Sequence, residues 1–178
     1  MNKLFVFLVV LYFGLTFDRL NIFKYCILSS CLHELGHIVA YSLFMKKFPS
    51  IDVSAFGFRM KNDASDSRYY NTILLSGPLV NLFICISCLI LLKNGFNLNL
   101  YVLMTVNIVI FIMNLLPVYY MDGGNIMYNK SIFYQRNHRK ISIFSVIILS
   151  VMVISFTDNI MPFFIFLFYF ILNLINDN

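Results

Sequence analysis

Residues 31–40 read CLHELGHIVA. Two histidines and a glutamate stand inside an otherwise apolar run. On a helix, His33 and His37 are four residues apart and share one face. Two imidazoles on one face can hold one metal ion. Glu34, the next residue along, can reach a water at the ion's open position, the logic of the H-E-x-x-H pattern. Glu34 is the sole glutamate of the chain, which has three histidines. Random placement would put histidine at both required positions on the order of twice in 10,000, so this match outranks its usual false-positive risk.

The chain around the motif has 178 residues, 60% hydrophobic and 12% charged. A soluble domain of this length is about a quarter charged. Such a sequence lacks the charge to coat a globule, and its apolar runs are long and repeated. The class is therefore an all-α polytopic membrane protein. A carboxylate at the centre of a bilayer costs at least ~2.5–3.5 kcal/mol. Glu34 without a role would be an odd survivor there. The length fits a single membrane domain, 1–178, with its catalytic core at about 22–125. Cys26, Cys31, Cys85 and Cys88 all lie in apolar runs. They are expected to be small packing residues, despite the C-x-x-C spacing of the last two.

Six spans are expected, at roughly 4–17, 22–45, 70–92, 98–118, 141–156 and 160–175. The first resembles a signal peptide but lacks a small-x-small cleavage site, so it is expected to remain. Basic residues divide unequally between the two faces. Lys3, Lys46, Lys47, Arg59, Lys61, Arg68, Lys130, Arg136, Arg139 and Lys140 fall on one side; Arg19, Lys24 and Lys93 fall on the other. Positive loops stay in the cytoplasm, which puts both termini and the opening of the site there. The net charge of +5 is then a topology signal, and nucleic acid is not an expected partner.

A catalytic zinc takes three protein ligands and keeps one position open. No second glutamate exists, and position 43, where an extended motif would place a third histidine, is Leu43. His138 sits among charges in YQRNHRK and is expected to lie in a solvated loop. Asp122 is the candidate, in NLLPVYYMDGG at 114–124. Pro117 breaks the helix ladder, and Gly123 and Gly124 permit tight or left-handed turns, so a carboxylate in an unwound helix end is expected. The competing view is an interfacial turn with a solvated aspartate. Asn114, Tyr119 and Tyr120 are candidates to line a polar cavity. Pro78 is expected to kink the third span.

HELGH, then SGPLVN at 76–81, then NLLPVYYMDGG, in that order, resemble the site-2 protease family of intramembrane zinc metalloproteases. The nearest likeness is to its bacterial sporulation branch, which processes a membrane-tethered sigma-factor precursor. The resemblance covers roughly residues 25–125. It implies one zinc held by His33, His37 and Asp122, with Glu34 as catalytic glutamate. It also implies that Asn81 faces the site and holds substrate or the oxyanion. No CBS segment follows the last apolar run in this sequence, and no PDZ insertion interrupts it. Substrates of the family's type would be membrane-tethered proteins or peptide precursors. The alternative class is a non-catalytic membrane metal or haem binder, or a metal transporter, using His33 and His37. A bis-histidine cofactor site has no use for Glu34, and a transporter would carry acidic residues in more of its spans.

The loop after the second span has its own pattern. In SIDVSAFGFRMK, residues 50–61, Ile51, Val53 and Ala55 alternate with Asp52, Ser54 and Phe56, a strand-like period of two. A small hairpin is expected. Residues 51–59 are expected to hold an unwound substrate by strand addition, with Ile51, Val53, Ala55 and Asn114 as candidate substrate contacts.

Overall fold

The computed structural model describes Thr16, Asp18 and residues 20–54, 57–60, 68–119 and 121–157. The expected first and sixth spans, 4–17 and 160–175, lie almost wholly or wholly outside these residues. So do Ala55 and Tyr120. The chain divides into two compact units, with the boundary between Leu115 and Leu116.

The first unit contains three helices and a two-stranded sheet. Helix α1 is Ile22–Met45. The Asp18 carboxylate accepts the backbone N–H of Lys24 at 2.9 Å, satisfying one of the first-turn donors that a helix leaves unpaired. The helix stops where Lys46 turns left-handed and donates its N–H to Ser42. Strands β1 (Ile51–Ser54) and β2 (Gly57–Met60) pair antiparallel, Ser54 opposite Gly57 and Ile51 opposite Met60. Strand β2 lies beside α1.

Helix α2 is Tyr70–Leu92, with Pro78 inside it. A turn through Gly95, the one described glycine with positive φ, leads to α3, Leu98–Leu115. Asn97 caps α3, its Oδ1 accepting the N–H groups of Asn99 and Leu100 at 2.9 and 3.3 Å. The three helices pack on one another, and α1 meets α2 at a glycine. A Cβ on Gly36 would stand 2.8 Å from Val80 Cγ2 and 2.9 Å from the Ser76 carbonyl. Small residues at such crossings let membrane helices come close.

This unit buries polar side chains within its apolar core and exposes large apolar ones. Ser29, His33, His37, Asn81 and Asn107 are buried, while Leu35, Val39, Leu43, Phe83, Ile90 and Val109 are exposed. A water-soluble fold rarely exposes large apolar side chains over so many faces. Lipid is the solvent that suits them, and intramembrane polar groups turn inward. Helices α2 and α3 are long and apolar enough to cross a bilayer.

The second unit contains α4 (Asp122–Lys130) and α5 (Ile132–Thr157). Three expectations need correction here. The fourth apolar run does not continue to 118. It ends as helix at Leu115 because the residue before Pro117 is pushed out of the helical region. Asp122 does not sit in an unwound stretch; it is the first residue of α4. The basic segment YQRNHRK is not a loop. Ser131 Oγ accepts the N–H of Tyr134 at 3.2 Å, which caps α5 early and carries residues 134–140 as helix. The expected fifth span, 141–156, is the later part of this longer helix.

Candidate metal centre

Helix α1 carries Ser29, His33 and His37 as one buried stripe, four residues apart at each step. The His37 ring is fixed by the backbone of α2, with Nδ1 lying 2.8 Å from the Ile73 carbonyl oxygen. A carbonyl only accepts, so Nδ1 carries the hydrogen, and the Nε2 of the neutral ring is left with a lone pair. The Ile73 carbonyl also accepts from Ser76 Oγ at 2.6 Å. Nearby, Pro78 supplies no N–H to the ladder, which loosens the pairing of α2 in this turn.

His33 is held by a side chain. Its Nδ1 lies 2.6 Å from Asn81 Oδ1, and both residues are buried. Again Nδ1–H donates, and Nε2 is the lone-pair nitrogen. The two Nε2 atoms stand 3.1 Å apart, with the rings almost perpendicular at 86°. Two lone pairs facing each other at that distance repel unless a cation or a proton stands with them. Tetrahedral zinc at ~2.0–2.1 Å from each of two imidazoles holds their nitrogens about 3.3 Å apart. The donor pair therefore fits a divalent metal in chemistry and in spacing, with each ring oriented through its other nitrogen.

The structure brings His33, His37 and Asn81 together. Glu34 follows His33 on α1 and is half-buried. Asp122 belongs to the other unit, half-buried in the first turn of α4. A carboxylate is favoured at a helix N-terminus, where the backbone dipoles present positive charge. Gly123 and Gly124 are helical here, and neither takes a left-handed turn. Gly124 has a different reason to lack a side chain: a Cβ there would collide with the Val118 carbonyl.

Asn81, expected to hold substrate or the oxyanion, also braces a histidine. Its carbonyl oxygen is given to His33. Its amide nitrogen donates to Asn107 Oδ1 at 2.9 Å and to the Ser29 carbonyl at 3.4 Å. The first of these is a full hydrogen bond, and the second is long for one. Through its carbonyl oxygen Asn81 orients the ring of His33. Asn114, a candidate cavity residue, donates to the Ile110 carbonyl of its own helix at 3.0 Å. Tyr119 packs its ring against Tyr128 and His138 within the second unit. Ile51 and Val53 lie in β1, paired with Met60 and Phe58.

Ser29 and Asn107 were missed in the sequence. Asn107 Nδ2 donates to Ser29 Oγ at 2.9 Å and to the Leu103 carbonyl at 2.8 Å. A signal existed: an amide in the apolar run VLMTVNIVIF is costly in lipid unless it faces the interior. Cys85 and Cys88 are buried on α2 as free thiols, consistent with packing.

No family model and no curated relative matches the chain. Among solved structures, the site-2 protease from Methanocaldococcus jannaschii is similar, with 26% identity and a TM-score of 0.60. The match covers 94% of this chain and 85% of that one. The resemblance to the site-2 protease family is borne out by this match. The particular likeness to the sporulation branch has no counterpart in it.

Proposed function

We propose that this membrane protein, similar in fold to a site-2 protease, is an intramembrane zinc metalloprotease. It hydrolyses a peptide bond of a membrane-associated protein or peptide precursor, within or near the bilayer. The observation that carries this reading is the pair of buried imidazoles. Both are oriented through Nδ1, and they present facing Nε2 atoms 3.1 Å apart beside the glutamate of H-E-x-x-H.

His33, His37 and Asp122 are the residues we assign to the metal: two imidazoles oriented through Nδ1 and the carboxylate that opens α4. The set of two imidazoles and a carboxylate suits a catalytic zinc, which keeps a position for water or substrate. When bound, such an ion supplies a Lewis acid for the scissile carbonyl and for the attacking water. The remaining chemistry belongs to the chain. Glu34 takes a proton from the water on its carboxylate and returns it to the leaving amine. Asn81 holds the His33 ring in the orientation that presents Nε2. Strand β1 holds the substrate in an extended form, because the carbonyls of a helical substrate are shielded by their own hydrogen bonds. Both termini and the opening of the site face the cytoplasm in this proposal, following the distribution of Lys and Arg.

Glu34→Gln is the test. The carboxylate acts as a base and is not a ligand, so purified Glu34→Gln protein keeps its zinc and loses cleavage of a membrane-tethered reporter. Zinc loss in that variant, or retained cleavage, would overturn the assignment.

A further inference from the structure

The hydrogen-bonded chain behind His33 has a direction. Asparagine can present either its oxygen or its amide to a neighbour, so Asn81 alone does not determine what His33 meets. If the amide faced the ring, Nδ1 would have to accept, and the hydrogen would move to Nε2. That nitrogen could then bind no metal. Something must hold Asn81 in its productive sense.

A backbone carbonyl on α3 does so. The Leu103 carbonyl, one turn before Asn107 on α3, stands 2.8 Å from Asn107 Nδ2. A carbonyl accepts only, so the amide of Asn107 must face it. Asn107 Oδ1 is thereby turned toward Asn81, whose Nδ2 donates to it at 2.9 Å. The Ser29 carbonyl lies 3.4 Å from the same Nδ2, longer than the usual N–H···O bond, so it does not hold that sense alone. Asn81 Oδ1 is left pointing at His33 Nδ1, 2.6 Å away. Asn81, Asn107 and Ser29 are each 0% exposed, so no bulk water competes for these bonds. Chained amides in a dry interior also polarise one another in the same sense. Ser29 Oγ, which accepts from Asn107 at 2.9 Å, holds the second amide hydrogen.

We propose that Asn107 is a positioning residue for the metal centre: through Asn81 it fixes the tautomer of His33, so that α3 controls the metal-binding nitrogen of α1 without touching it. His37 needs no such relay because it donates to the Ile73 carbonyl directly. The two histidines therefore differ in how they depend on α3, although both serve the same proposed ion. The inference rests on the metalloprotease reading for its purpose but not for its test.

The experiment uses ring-15N-histidine-labelled full-length protein, metal-free, in detergent micelles, with His33 signals identified by their loss in His33→Gln. Asn107→Leu removes the acceptor that faces Asn81. Asn107→Asp keeps an oxygen there in either protonation state. In wild type and in Asn107→Asp, both His33 and His37 carry hydrogen on Nδ1. In Asn107→Leu, His33 shifts its hydrogen to Nε2 while His37 stays unchanged, and zinc affinity falls about tenfold or more, as when other outer partners of ligating histidines are lost. The His37 signal reports that the fold persists. The inference is overturned if Asn107→Leu leaves His33 protonated on Nδ1. It is equally overturned if the Leu and Asp variants lose the tautomer alike, since that would make Asn107 a packing residue. A tautomer shift without any zinc binding in the wild type would uphold the relay and sink the metalloprotease reading.

Discussion

Gly77 of α2 lies directly against the ring of His37: a Cβ at position 77 would stand 2.6 Å from His37 Cε1, and 2.8 Å from His33 Nε2. The missing side chain is what lets α2 close over both imidazoles. Gly77→Ala would drive the two rings from their hydrogen-bonded positions. Overpacking of this kind costs about 1–3 kcal/mol, so the helices should survive while the donor pair does not. The expected outcome is an unchanged far-ultraviolet circular dichroism spectrum, with zinc stoichiometry and reporter cleavage both lost. Full zinc occupancy in Gly77→Ala would show that the rings adapt.

Asp122 and His138 separate two readings of the third ligand. Asp122→Ala should lose tight zinc binding and activity together. His138 is otherwise occupied, since its Nδ1 meets the Gln135 carbonyl at 2.8 Å and its ring packs on Tyr119 and Tyr128. His138→Ala should leave cleavage within about twofold, in the range of substitutions away from buried networks. Zinc analysis beside a cleavage assay checks both. Wild-type activity in Asp122→Ala would remove that residue from the ligand set.

Gly124 marks where local sequence rules fell short. Two adjacent glycines after a proline suggest freedom for a left-handed turn, but α4 runs through both. The need is for space against the Val118 carbonyl, a contact between segments that no periodicity reveals. The H-E-x-x-H pair was legible because its spacing is a property of one helix. The neighbours that orient it were less so, because Ile73, Asn81 and Asn107 come from two other helices. The start of α5 was misjudged for a local reason: the charges of YQRNHRK outweighed the cap offered by Ser131. Gly124→Ala should lower the thermal midpoint and reduce cleavage, because α4 can no longer seat Asp122 in its first turn. Gly123→Ala, at the neighbouring helical position, serves as the comparison. Equal effects at 123 and 124 would mean that the Val118 contact is not the cause.

The proposed orientation rests on ten basic residues on one side of the expected spans and three on the other, the asymmetry that retains loops in the cytoplasm. Reporter fusions after Asn178 and within 62–68 should report cytoplasm, and a fusion beside Lys93 should report the outside. A cytoplasmic signal at Lys93 would break the arrangement of spans on which the site's opening depends.

Strand β1 supplies the last test. Its register pairs Ser54 with Gly57 across two intervening residues, so these two form the hydrogen-bonded pair that closes the hairpin. Pairs alternate along an antiparallel ladder. Asp52 with Arg59 is then hydrogen-bonded, and Val53 with Phe58 and Ile51 with Met60 are not. The N–H groups of Ile51 and Val53 consequently point away from β2, along the outer edge of β1. Among the described residues strand β2 lies beside α1, so β1 is the strand proposed to receive an added partner. An extended substrate would pair with those outward N–H groups by strand addition. Val53→Pro deletes one of them without touching the bonds to β2, since proline is tolerated where its missing donor faces off the sheet. Asp52→Pro instead breaks the hairpin. Cleavage of a membrane-tethered helical reporter should fall sharply in Val53→Pro, as expected for loss of a main-chain contact in strand addition, while zinc content stays at the wild-type level. Cleavage of a short, already extended peptide should fall less. If Val53→Pro cleaves the tethered reporter at the wild-type rate while Asp52→Pro does not, the hairpin matters as a cap and β1 does not hold the substrate.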